Sequence, residues 1–237
     1  MYQFYEFNHA ALQPFRACAD AVKLIYSNPL NPLSHTAFGR SIAASAELFE
    51  RTTRRYGKPS FGLNRTVVDW QTVEVTEETV WRRAFCDLIH FRRNLTARRK
   101  ADPKLLIVAP MSGHYATLLR GTVEAMLPHC EVYITDWTDA RMVPVAAGKF
   151  DLDDYIEYVT DMLHALGPDT HVVGVSQPSV PVLAAVALME ARGDRFAPAT
   201  MTLMGGPIDT RRNPTAVNEL AQQKSLQWFK DNVIMQV

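Results

Sequence analysis

The chain has 237 residues, of which 47% are apolar, a globular composition long enough for one or two domains with a full core. Lys plus Arg equals Asp plus Glu at 25 each, so no net charge draws the chain toward nucleic acid or an anionic membrane surface. No apolar run nears the roughly 18 residues of a membrane span, and no basic segment followed by an apolar one opens the chain, so neither a span nor a signal peptide is expected.

Residues 1–56 read as helical. Leu12, Phe15, Ala19, Val22 and Ile25 recur at helical spacing within Phe7–Ile25. Asn28-Pro29-Leu30-Asn31-Pro32 breaks that pattern. Ser34 is the expected cap of a second helix reaching about Arg55, with Phe38, Ile42, Ala46 and Phe49 on one face and Gly57 as its stop. Thr66 to Val75 alternates and predicts edge strands. Val80 to Phe91 is amphipathic, and the basic cluster Arg92-Arg93 and Arg98-Arg99-Lys100 reads as a solvated face.

From Lys104 the pattern changes to alternating strands and helices. The expected strands are Leu105–Ala109, Glu131–Thr135, His171–Val175 and Thr200–Met204. The expected helices are Tyr115–Met126, Leu152–Leu166, Val182–Ala191 and an amphipathic one over Pro214–Phe229. Asp151, Asp153 and Asp154 sit at the positive end of the helix Leu152–Leu166. Repeated βα units predict a parallel sheet with helices on both faces, and ligands beyond the carboxyl ends of its strands. The expected division is residues 1–100 as helical extension and first strands and 101–237 as the α/β core, within one structural domain. No internal repeat is found.

The chemistry gathers at Thr170–Ala191. Ser176 stands between a β-branched strand and an Ala- and Leu-rich helix, with Gly174 two residues before it. A serine at such a turn is the nucleophile elbow of α/β-hydrolases. Pro178 occupies the place of the usual second glycine, so the pattern is G-x-S-x-P. A proline is tolerated there because its missing N–H has no partner in a first helical turn. An acyl-transfer serine needs oxyanion donors, usually two backbone N–H groups. Gln177, following the nucleophile, is the first. Met111 in the Pro110–Tyr115 loop is the second, with Ser112 as the alternative. His114 reads as a loop or oxyanion-side residue, and it is the first candidate base within the chain.

In this fold the acid and then the histidine follow the serine. No histidine follows Ser176; the last is His171. Asp194, Asp209 and Asp231 remain as carboxylates, with loop capping the expected role of Asp209. Counting strands, about two more are needed after Thr200–Met204, so the chain is expected to be the N-terminal portion of a longer hydrolase with an open sheet edge. Cys18, Cys86 and Cys130 form no metal-spaced pair and suit a reducing, cytoplasmic setting. No cofactor motif is present.

Four segments carry a resemblance: Met1-Tyr2-Gln3-Phe4-Tyr5-Glu6, the loop from Ala109-Pro110-Met111-Ser112-Gly113-His114-Tyr115 to Thr122, Tyr133-Ile134-Thr135-Asp136-Trp137, and Gln177-Pro178-Ser179-Val180-Pro181. Together they resemble intracellular poly(3-hydroxybutyrate) depolymerases along essentially the whole chain. The resemblance implies an α/β-hydrolase fold, here incomplete at its C-terminus and preceded by a helical extension. It also implies ester hydrolysis of a stored polyester on cytoplasmic granules, without a cofactor, the polymer or granule surface being the partner. The family carries cysteine at the position matching Ser176, and its catalytic Asp and His fall past Val237. The alternatives are a polyester synthase-like acyltransferase and a non-catalytic granule-binding fragment.

Overall fold

In the computed structural model, residues 2–95, 101–111 and 115–233 are described. They form two compact units, Met1–Gly57 with Thr215–Val237, and Lys58–Pro214. The division expected at residue 100 therefore falls inside the second unit, because the early strands join the same sheet as the later ones.

The first unit contains α1 (Tyr2–Ala11), α2 (Gln13–Ser27) and α3 (Ala37–Thr53). Phe7–Ile25 is two helices rather than one. Pro14 lies in the first turn of α2 and has no N–H to bond the preceding turn. The cap of α3 is Thr36, not Ser34. Thr36 Oγ1 accepts from Gly39 N at 3.0 Å, while Ser34 Oγ donates to Asn31 O. Helices α2 and α3 pack on each other with Leu12, Ala19, Val22, Ile42, Ala46 and Phe49 half-buried, whereas Phe15, Ile25 and Phe38 stay exposed. The expected Pro214–Phe229 helix is also two: α7 (Ala216–Gln223), capped by Thr215, and α8 (Leu226–Asn232), capped by Ser225. Extended backbone at Lys224 separates them.

The second unit holds a seven-stranded sheet, ordered β1-β2-β3-β5-β4-β6-β7. The strands are β1 (Arg65–Val68), β2 (Gln71–Arg83), β3 (Cys86–Arg93), β4 (Lys104–Val108), β5 (Glu131–Trp137), β6 (Thr170–Val175) and β7 (Thr200–Met204). Pairings from β1 to β5 are antiparallel, and β5, β4, β6 and β7 run parallel. Asp69 and Trp70 both have positive φ, 51° and 67°, the primed turn that suits a two-residue hairpin. The amphipathic stretch Val80–Phe91 crosses a second hairpin, so its alternation belongs to two strands. Strand β7 bonds β6 alone and alternates half-buried with exposed residues, an open edge among the described residues.

Both faces of the sheet are covered. Leu105 and Ile107 face one core with Val132, Ile134 and Phe91, under α4 (Arg120–Met126). Leu106 and Val108 face the other, under α5 (Leu152–Leu166) and α6 (Ser179–Ala191). Burial on both faces explains why β4 reads as an unbroken apolar run rather than an alternating one. Asp151 and Asp154 cap α5 reciprocally. This strand order and the helices make the molecule an α/β-hydrolase fold preceded by helices. Among the described residues no helix is long and apolar enough to cross a membrane.

The basic cluster divides. Arg92 is exposed, but Arg93 is buried, and Arg98-Arg99-Lys100 lie outside the described residues. Arg93 Nη2 donates to Glu131 Oε1 at 2.6 Å and pairs with Asp102 Oδ2 at 2.8 Å, while Nη1 donates to Leu127 O. The other Glu131 oxygen meets His90 Nε2 at 2.8 Å. The hydrogen bond from His90, then that from Arg93, holds the Glu131 carboxyl below its usual range. A depressed pKa contributes stability above the unfolded value and loses it as pH falls through the folded one. Glu131→Gln keeps an acceptor but loses the charge, and Arg93 retains Asp102. We expect a loss of about 2 kcal/mol at pH 7, roughly 4–8 °C in Tm, narrowing below about pH 4. Thermal melts of both proteins at pH 7 and pH 3.5 check this; a gap independent of pH would refute it.

Candidate active site

The β-branched run Val172-Val173-Gly174-Val175 extends β6 to its carboxyl end, where the chain turns into α6. Ser176 makes that turn at φ 64°, in the left-handed region that costs a non-glycine residue about 1–2 kcal/mol. The conformation is held from both sides: Ser176 N donates to Met204 O at 2.8 Å, and Ser176 O accepts from Ser179 N at 3.0 Å. The serine is exposed, above a sheet whose centre is buried. Strain at an exposed serine between strand and helix is the nucleophile-elbow geometry.

Close approaches explain the glycines around it. A Cβ on Gly174 would come within 3.3 Å of Val182 Cγ2 and 3.4 Å of Pro178 O. Pro178 adopts φ −60° at the N-cap position of α6, a conformation its ring favours. The tightest approach belongs to Gly206, beyond β7, where a Cβ would lie 2.2 Å from Ser176 O and 2.0 Å from Ser179 Oγ. Gly205-Gly206-Pro207 reads from sequence only as a strand stop; the close packing behind Ser176 is a tertiary property.

Strand β4 lies between β5 and β6, so the chain leaves it toward opposite sides of the sheet, a topological switch point. The loops after β4 and β6 meet there. Met111 N donates to Gln177 Oε1 at 3.0 Å, across 66 positions of sequence. The two expected oxyanion residues are thus brought together beside Ser176. Gln177 N–H has no hydrogen-bond partner among the described residues, and α6 directs its positive N-terminal end at the turn. Ser112 and His114 lie outside the described residues.

The described histidines of this unit are remote from Ser176. His171 starts β6, His129 precedes β5, His164 is in the last turn of α5, and His90 stacks on Tyr133 beside Glu131. His171 and His129 lie at the amino ends of parallel strands and His164 at the end of the helix that leads into β6, opposite the carboxyl end that carries Ser176. His164 pairs with Asp194 at 2.6 Å. Asp209 accepts from Arg211 N and Nε, an Asx turn that caps its own loop. The cysteines offer no alternative nucleophile here: Cys86 is buried and its thiol pushed well above the usual range, Cys130 is also raised by burial, and Cys18 belongs to the helical unit. Among the described residues no three of His, Cys, Asp and Glu gather as a metal-ligand set.

Comparison with known proteins gives one family match. Residues 205–237 match the family model described as PHB de-polymerase C-terminus. No curated protein matches. Among solved structures, a putative lipase from Acinetobacter baumannii AYE is 12% identical, with TM-score 0.45, over 67% of this chain and 48% of its own. An α/β-hydrolase enzyme from the metagenome of Lake Arreo, Spain, is 17% identical, with TM-score 0.43, over 84% and 60%. Naproxen esterase from Bacillus subtilis is 14% identical, with TM-score 0.36, over 54% and 42%. The chain spans about half the length of these structures. Strand order and elbow carry the fold assignment independently of such distant likenesses. The family match begins at Gly205, next to the Gly206 that packs against the back of Ser176, so over residues 205–237 the chain is similar to PHB depolymerases.

Proposed function

We propose that Ser176 is the nucleophile of a carboxylic ester hydrolase that cleaves poly(3-hydroxybutyrate) on cytoplasmic storage granules. The observation that carries this reading is the left-handed, exposed Ser176 at the end of β6. The family match supports the polyester as substrate.

In this mechanism Ser176 Oγ attacks the ester carbonyl carbon and its proton passes to a histidine outside the described residues. The carbonyl π electrons move onto oxygen, and the oxyanion accepts from Gln177 N–H and Met111 N–H. Gln177 Oε1, which now holds the Met111 donor, must swing away to admit it. Collapse expels the next unit's alkoxide, which takes the proton from the base. Water, deprotonated by the same base, then attacks the acyl-serine; the acyl–Oγ bond breaks, Ser176 Oγ takes that proton back from the base, and the acid is released.

The test is incubation of the full gene product with a soluble hydroxybutyrate oligomer and, separately, with hydroxybutyryl-coenzyme A. Release of hydroxybutyrate from the oligomer is expected. Polymer formation from the thioester would instead support an acyltransferase, and sedimentation with granules without acid release would support a binding fragment.

A further inference from the structure

The loop that carries the second donor begins at Ala109, one residue past the β4 ladder. Its own N–H and C=O therefore lack strand partners. Both are held instead by side chains of the neighbouring elements. Ala109 N donates to Thr135 Oγ1 at 2.8 Å, and Ala109 O accepts from Trp137 Nε1 at 2.9 Å. Tyr155 OH reaches the same carbonyl at 3.4 Å, a weaker contact. All four residues are buried. Thr135 and Trp137 come from β5, and Tyr155 from α5. Burial pushes the Tyr155 hydroxyl far above its usual pKa, so it stays a donor.

The clamp reaches the donor through Pro110, which fixes its own φ and narrows the backbone choices of Ala109. Few soft torsions then separate the clamped carbonyl from Met111 N–H. At its far end that N–H meets Gln177 Oε1.

We propose that Trp137, assisted by Thr135 and Tyr155, is a positioning residue that aims the Met111 N–H at the oxyanion site through Ala109 and Pro110. The catalytic consequence rests on the ester-hydrolase reading above; the positioning itself does not. Trp137→Phe removes the indole donor and keeps an aromatic ring, and Thr135→Val removes the hydroxyl in nearly the same shape, so the second covers a folding failure of the first.

The full gene product is labelled with [15N]methionine, and the Met111 amide is assigned by its loss in Met111→Leu. In each variant the Met111 resonance is expected to shift and its hydrogen exchange to rise about tenfold, the equivalent of one lost hydrogen bond. The amides of the buried Met162 and Met189, which a general loosening would disturb, should keep their exchange rates. The kcat for ester hydrolysis should fall about tenfold, with KM changed less than about twofold. Unchanged Met111 exchange, or equal increases at all three methionines, overturns the proposal. So does an altered Met111 with unchanged kcat in an active parent. If the parent shows no Ser176-dependent hydrolysis, the ester-hydrolase reading fails, and the Met111 exchange alone decides whether the clamp positions this donor.

Discussion

Ser176→Ala in the full gene product is expected to lower kcat for ester hydrolysis at least about 10³-fold, with KM within a few-fold. The attacking oxygen is lost, and no described side chain stands ready to replace it. Residual turnover would come only from the oxyanion donors and from binding. The same site makes a second measurement possible. Alanine keeps the Cβ and therefore the strain at φ 64°, so its Tm should stay close to that of the parent. Glycine removes about 1–2 kcal/mol of left-handed cost and adds about 0.5–1 kcal/mol of chain entropy. Ser176→Gly should be at least as stable as the parent while equally inactive. Assays and thermal melts of the three proteins check both halves. Retained Ser176→Ala turnover would remove the nucleophile assignment, and a marked loss of stability in Ser176→Gly would remove the strain argument.

Gly206→Ala is expected to destabilise the α/β unit by about 3 kcal/mol, the upper end of ordinary overpacking, or roughly 6–12 °C in Tm. The added methyl would lie 2.2 Å from Ser176 O and 2.0 and 2.5 Å from Ser179 Oγ and Cβ. None of these atoms yields cheaply. Ser176 O is engaged by Ser179 N, and Ser179 is fully buried at the start of α6. The methyl must therefore push the β7 loop or the elbow itself, and activity should fall more steeply than stability alone explains. Adding Ser179→Gly should recover part of the lost Tm, since it removes two of the three contacts and leaves the one with Ser176 O. Unchanged Tm and activity in Gly206→Ala would show that this approach is not tight. A full rescue by Ser179→Gly would show that Ser176 O does not limit it.

Much of the fold was legible because local chemistry and tertiary role agreed. Leu152–Leu166 and Thr200–Met204 match the expected ranges, and the acidic cluster at Asp151 caps its helix as its dipole preference suggests. The same agreement made the elbow readable: a β-branched strand, a glycine, a serine and a helix-forming run occur in one contiguous stretch. Where two elements share one apolar pattern, the boundary between them was not legible. Val80–Phe91 spans a hairpin, and Pro14 and Lys224 each divide a helix whose periodicity runs through. Arg93 has the same neighbours in sequence as a solvated arginine, and only Glu131 and Asp102, brought in by other segments, make it a buried ion.

The sequence by itself determined the α/β class, the nucleophile candidate and the loop expected to serve it, because these depend on short-range propensity and motif spacing. Tertiary structure alone decided that Met111 meets Gln177, that Ala109 is clamped by Thr135 and Trp137, and that Gly206 packs against the back of Ser176. Those contacts join residues from 26 to 66 positions apart, or from separate strand ends. No local pattern encodes them; they exist because β4 packs between β5 and β6 and delivers its loop to the same edge as the elbow.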